Sequence, residues 1–275
     1  MPVARLFVEG DLDAEVLTPL LVTALLRVVV EKGGPKGSLA PKARDARQKG
    51  VQACYLRDRD FDFDPPVDLT RPSVDRPVDK MKGDVLGWRW CRHELESYLL
   101  EPRLVAQATH WDEAAYSAEL LKAAQHIQSY TAARWTLGIA RRSLPPFSDL
   151  PTRPDDLQNE IKLPADCSDP ACFNWVQRTI ETFRLKVEPA LADSTVAMSF
   201  SQNSQRLKAL TRTEEVLLWY SGKDLLAALT PSLALRPENN PKFFRHRLRD
   251  WVRNNPAAAV ALFPEWQALL NQLRA

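Results

Sequence analysis

Two short apolar runs punctuate the first sixty residues. LFVEG, Leu6 to Gly10, reads as a buried strand ending in Glu9, and VQACYL, Val51 to Leu56, reads as another. Between them Val16, Leu17, Leu20, Leu21, Ala24, Leu25 and Val28 recur at helical spacing, which predicts a helix with one face on a sheet. Pro19 interrupts that pattern, and a proline inside a helix costs about 3 kcal/mol. Thr18 is therefore expected to cap the main helix, with Pro19 as its first residue. A glycine-rich turn follows in EKGGPKGS, then a basic helix from about Pro41 to Lys49. Val85 to Cys91 reads as a further strand, and HELESYLL, from His93, as the start of a helix that leaves the first domain. Strands alternating with helices predict an α/β fold, a mainly parallel sheet covered on both faces.

Past Pro102 the pattern changes to helices. Trp111 to Leu137 holds two such stretches, and Trp175–Val187, Ser204–Leu210, Glu214–Ala228, Pro241–Asn254 and Pro256–Leu273 hold the others. Two domains are expected, residues 1–102 with the sheet and residues 103–275 as an α-helical accessory domain. The accessory domain is interrupted by a proline-rich loop at about 144–170. Asp64 to Gly83, with Pro65, Pro66, Pro72 and Pro77, is either a substrate-facing flap or an exposed connector.

The acidic residues at the strand ends carry the candidate chemistry. Functional groups of a parallel α/β sheet gather beyond the carboxyl ends of its strands, where Glu9 and Asp13 meet Asp58 and Asp60. Side chains at i and i+2 of an extended segment share a face, so Asp58 and Asp60 converge while Arg57 and Arg59 look away. Mg²⁺ prefers a few carboxylate oxygens in near-octahedral geometry, and four acids suffice for one or two such ions. With two ions about 3.5 to 4 Å apart, one can activate an attacking water and the other can stabilise the leaving oxygen.

Val8-Glu9-Gly10 with Asp13, then Asp58-Arg59-Asp60, resembles a TOPRIM domain, a Rossmann-like catalytic module. The run HELESYLLEP resembles the segment that follows the last strand in TOPRIM nucleases of the OLD type. The AriB-type stand-alone TOPRIM effectors of PARIS anti-phage systems, which work with a separate ABC-type ATPase, are similar. The likeness covers Met1 to about Pro102. It implies that Glu9, Asp13, Asp58 and Asp60 bind Mg²⁺ or Mn²⁺, with Asp62 and Glu96 as further ligands and Glu94 as an alternative to Glu96. It also implies a nuclease that hydrolyses phosphodiester bonds, an antiviral toxin whose substrate is RNA, particularly tRNA, or DNA as for the OLD enzymes. A non-catalytic TOPRIM-like module that binds an ATPase is the alternative of a different class. Primase and topoisomerase activity lack their accompanying motifs.

Each acid also has a plain structural role open to it. Asp11 is expected to cap the first helix or complement its dipole, and Asp13 taken alone would do the same. The DRDFDFD run could be a solvated loop, and Glu94 and Glu96 sit in a first helical turn.

A formal net charge of +2 means that a nucleic acid would have to be met by local patches. Lys36 and Lys42 near the acids, and Arg245, Arg249 and Arg253 on the helix from Pro241, are the candidate contacts. On that helix Phe243, Phe244 and Trp251 either stack on bases or belong to a core stripe, with the core favoured. GGPKGS lacks the spacing of a nucleotide loop, so an ATPase would be another chain. Cys54, Cys91, Cys167 and Cys172 form no CxxC pair, and Cys54 and Cys91 are expected to be buried thiols. With neither a signal segment nor an uncharged membrane-length run, a cytoplasmic location is expected, and self-association is left open.

Overall fold

The structure, a computed structural model, describes residues 2–75, 85–146, 149–151, 166, 168–237 and 239–274. The segment 76–83 of the expected flap and most of the proline-rich stretch lie outside the described residues, as does Cys167.

The chain begins with β1 (Arg5–Val8), α1 (Asp11–Thr23), β2 (Val29–Lys32), α2 (Lys36–Gln48), β3 (Ala53–Arg57), β4 (Ser73–Val74) and β5 (Gly87–Arg89). Among the described residues the sheet has five strands in the order β2-β1-β3-β5-β4, all parallel except the edge strand β4. In register, Arg5 faces Val29 on one side and Ala53 on the other, and Tyr55 faces Gly87. Leu6, Phe7 and Val8 are all buried, as a parallel strand covered on both faces requires. On one face α2 supplies Leu39, Ala43 and Ala46 to a cluster with Phe7, Ala53, Tyr55 and Leu86.

Helices complete the chain: α3 (Leu95–Leu99), α4 (Pro102–Thr109), α5 (Glu113–His126), α6 (Gln128–Ser143), α7 (Asp169–Leu191), α8 (Asp193–Lys208), α9 (Thr213–Trp219), α10 (Gly222–Ala228), α11 (Thr230–Leu233), α12 (Pro241–Asn254), α13 (Pro256–Leu262) and α14 (Pro264–Arg274). The molecule is thus α/β, with a mainly parallel sheet flanked by helices and a helical C-terminal region.

Two compact units emerge, drawn differently from the expected boundary at residue 102. Unit one joins Met1–Thr131 to Leu207–Ala275, and unit two is Ala132–Arg206. Within unit one, α12 packs on α1, α3 and α4. Its Phe244, Leu248 and Val252 are fully buried, so the aromatic-rich helix does contribute a core stripe, whereas Phe243 is 57% exposed. In unit two Trp135 is fully buried, while α7 has no buried residue along its length.

Three local expectations need correction. The helix does not restart at Pro19: α1 runs unbroken from Asp11, and the Thr18 hydroxyl donates to the Ala14 carbonyl at 2.7 Å. Proline deletes one backbone donor, and the burial of Val16, Leu17, Leu20 and Leu21 around it offsets that loss. Val29–Lys32 is a strand; the run Val28-Val29-Val30 marks it, but Val28 also fits the helical spacing of the preceding segment, and α1 in fact ends at Thr23. The basic helix starts at Lys36 and carries Pro41 inside it, five residues earlier than its periodicity indicated.

Candidate functional site

The site is built at the carboxyl ends of β1 and β3. Glu9 follows β1 directly, and one of its carboxylate oxygens accepts the backbone N–H of Asp58 at 2.9 Å, which ties the two strand ends together. Asp13 lies in the first turn of α1 and accepts the backbone N–H of Gly10 at 3.1 Å. The capping role is therefore real, yet Asp13 is also buried close to Glu9 and Glu96. Asp11, by contrast, is exposed and pairs with Lys32 at 2.7 Å.

Asp58 and Asp60 converge for a reason that strand alternation does not supply. β3 ends at Arg57, so both acids lie in the loop beyond it. Asp60 takes the left-handed conformation, φ +46°, and its N–H donates to the His93 carbonyl at 3.0 Å. A left-handed turn is uncommon for a non-glycine residue. Arg59 does look away, as expected. It is fully buried and donates to the carbonyls of Cys91, Phe63 and Leu218 at 2.8, 2.7 and 2.6 Å.

Among the described residues, one oxygen from each of Asp58, Asp60 and Glu94 forms a group lying within 4.8 Å of one another. Glu9 and Asp13 are not in this group, but both lie near enough to act on Asp58 through their charge. Asp58 is held well above the ordinary carboxylate range by burial first and then by the charges of Asp13, Glu9, Asp60 and Glu94. Burial also raises Glu9 and Glu96, and pushes Asp13 up to about 7 with help from Glu96 and Glu9. Crowded, half-dehydrated carboxylates with raised proton affinity are what a hard cation would relieve, and an all-oxygen set fits Mg²⁺ or Mn²⁺.

The helical C-terminal part of unit one closes the other flank, and residue spacing did not indicate it. Glu94 accepts the Ser221 hydroxyl at 2.7 Å, the Lys223 backbone N–H at 2.8 Å and the Lys223 ammonium at 3.0 Å. Glu96, beside it, lies 3.8 Å from the Lys223 ammonium and 3.2 Å from the Arg245 guanidinium. Gly222 permits this approach, since a Cβ there would fall 2.3 Å from the backbone nitrogen of Ser97 and 2.5 Å from the Glu96 carbonyl carbon. Ser-Gly-Lys at the start of a helix is too ordinary a string to point at acids more than 120 residues away.

The remaining expected contacts fall as follows. Lys36 pairs with Asp60 and, at 2.8 Å, with Asp62, so Asp62 is beside the acidic group and engaged by a cation. Lys42 is exposed on α2. Arg249 pairs with Glu15 and Asp250, each at 2.8 Å, and Arg253 lies 3.8 Å from Asp250. Cys54 and Cys91 are buried thiols, as expected. Among the described residues no helix is long and apolar enough to cross a membrane. No protein-family model matches the chain, and no curated protein matches it either.

Proposed function

We propose that unit one is a nuclease dependent on Mg²⁺ or Mn²⁺, of the TOPRIM type, that hydrolyses phosphodiester bonds. The observation that carries this reading is the meeting of Asp58, Asp60 and Glu94 within 4.8 Å at the carboxyl end of a parallel sheet. In this reading these three residues hold the cation. Bound there, it supplies Lewis-acid activation of water and neutralises the charge that develops on a phosphate.

The chain's own residues have distinct parts. Glu9 fixes the backbone of Asp58, and Asp60 takes its place in a left-handed turn. Lys223 and Ser221 orient Glu94 through three hydrogen bonds, which holds its oxygens at the group rather than in solvent. Lys223 and Arg245, both partly exposed and paired with Glu94 and Glu96, are the cations of this flank that a phosphate backbone would meet. The biological reading is the sequence resemblance's: an effector of anti-phage defence that works with a separate ABC-type ATPase and cuts RNA such as tRNA, with DNA as the alternative substrate.

A second reading has one observation in its favour. Asp60, Asp62, Glu94 and Glu96 are already paired with lysines, as a non-catalytic module that docks an ATPase would allow. The purified chain incubated with labelled tRNA and with plasmid, in Mg²⁺ or Mn²⁺, separates these readings. Cleavage abolished by Asp58→Asn or Glu94→Gln is the expected result. Cutting of neither nucleic acid, with the ATPase partner and its trigger present, would remove the nuclease reading.

A further inference from the structure

The Asp60 carboxylate belongs to two groupings at once. One of its oxygens lies within 4.8 Å of oxygens on Asp58 and Glu94, and the same side chain is paired with the Lys36 ammonium. Lys36 has a second partner in Asp62, at 2.8 Å, and Asp62 is not one of the three clustered acids.

The placement of Lys36 is set by the fold. The Gly33 N–H donates to the Val8 carbonyl at 2.7 Å, and Gly34, with φ +86°, turns the chain from β2 into α2. Lys36 is the first residue of α2, so the turn delivers its ammonium to the acidic loop after β3. Its side chain is only 23% exposed, and those of Asp60 and Asp62 are 32% and 23% exposed, so solvent screens the contact only partly.

We propose that Lys36 is a built-in competitor of the divalent cation: ammonium and cation exclude one another at Asp60, and Asp62 is the berth to which Lys36 retreats when the cation binds. This rests on the nuclease reading above and adds a regulatory element to the same site. The physical reason is Coulombic. A lysine ammonium a few ångströms from a dication in a half-buried site repels it even at an effective dielectric constant of about 20. Asp60 cannot serve both at full strength. Asp62 lowers the cost of the exchange because Lys36 keeps one carboxylate partner throughout.

The proposal predicts effects of opposite sign from two neighbouring substitutions. Mn²⁺ binding to the full chain, followed by isothermal titration and by the loss of the free-ion electron paramagnetic resonance signal, reads them without any turnover. Lys36→Met removes the competitor and is expected to tighten Mn²⁺ binding about tenfold. Lys36→Arg retains the charge and is expected to stay near wild type. Asp62→Asn removes the berth and is expected to weaken binding, but much less in the Lys36→Met background than in wild type.

Misfolding cannot produce the first of these results, since damage to the site loosens binding. Equal or weaker Mn²⁺ binding by Lys36→Met, while Asp58→Asn and Glu94→Gln abolish it, overturns the role of Lys36 and leaves the nuclease reading standing. An Asp62→Asn loss of the same size in both backgrounds makes Asp62 an ordinary ligand and overturns the berth. Absence of Mn²⁺ binding by wild type and every variant removes both readings together.

Discussion

Helices α12 and α7 both carry apolar residues at helical spacing, yet their fates differ. In unit one α12 sinks Phe244, Leu248 and Val252 completely, and the same unit also buries Arg59, Glu94, Glu96 and Glu265. In unit two none of the 23 residues of α7 is buried, and Phe173 and Ile180 remain 62% and 55% exposed. Helical periodicity fixes which residues share a stripe, while burial depends on what the stripe meets. The candidate chemistry follows that difference, because a carboxylate is raised by desolvation where packing strips water from it, as at Asp58 and Asp13.

The largest effect that would test this contrast lies where unit one is densest. Trp266 is packed among Trp90, Tyr98 and Phe263, and Trp266→Ala is expected to cost about 3–5 kcal/mol in urea unfolding. Loss of less than about 1 kcal/mol would show that unit one is no better packed than unit two.

Gly222→Ala comes next. Its methyl group would meet the backbone between Glu96 and Ser97 and force α10 away from α3, at roughly 1–3 kcal/mol. Lys223 would lose its hold on Glu94, so Mn²⁺ binding should weaken along with the melting temperature. A variant that loses stability but binds Mn²⁺ as wild type does would detach the helical flank from the site.

Glu265 provides a pH-dependent test. Its carboxylate accepts the Cys91 N–H at 2.8 Å and the Tyr98 hydroxyl, and burial pushes its pKa up to about 7 from an ordinary 4.5. A raised carboxyl pKa means that the folded protein binds the proton more tightly. The stability it contributes is complete below about pH 4.5 and is lost as pH rises through about 7. Glu265→Gln should flatten the fall in stability over that window in denaturant titrations. Asp13, raised to about 7 as well, leaves a residual slope of the same sign. An unchanged slope would place the Glu265 proton outside the folding equilibrium.

The smallest effect is expected on α7. Ile180→Ser removes an exposed isoleucine and should change stability by no more than about 0.5 kcal/mol. A drop comparable to that of Trp266→Ala would mean that this face is covered in solution.

How much of the site could be read along the chain depends on contact range. Glu9 at the end of LFVEG and the acids after the VQACYL run follow from local apolar patterning and the parallel-sheet rule, and the structure does bring Asp58 and Asp60 together. The mechanism of their convergence was not legible. Alternation along a strand implied a shared face, whereas both acids lie in the loop beyond β3, where Asp60 takes a left-handed conformation that no residue type demands. Asp13 could be read either as a cap or as a member of the site; the structure shows the cap, and buries the carboxylate near Glu9 and Glu96 without bringing it into the group of Asp58, Asp60 and Glu94. Glu94, which joins the central group, could not be separated from Glu96, because both begin the same short helix and only its docking against α10 orients them.

The amino-acid sequence by itself determined most of the alternation of strands and helices, the helical stretches among the described residues after Pro102 and the acidic loops at two strand ends. These are properties of neighbours a few residues apart, where backbone geometry translates spacing into faces. Tertiary structure alone decided that Lys223 would brace Glu94 across 129 residues, that Lys36 would settle on Asp60 and Asp62, and that Arg59 would be buried under Leu218. Such pairings depend on which surfaces exclude water together, and a charged residue carries no local mark of the partner it will meet.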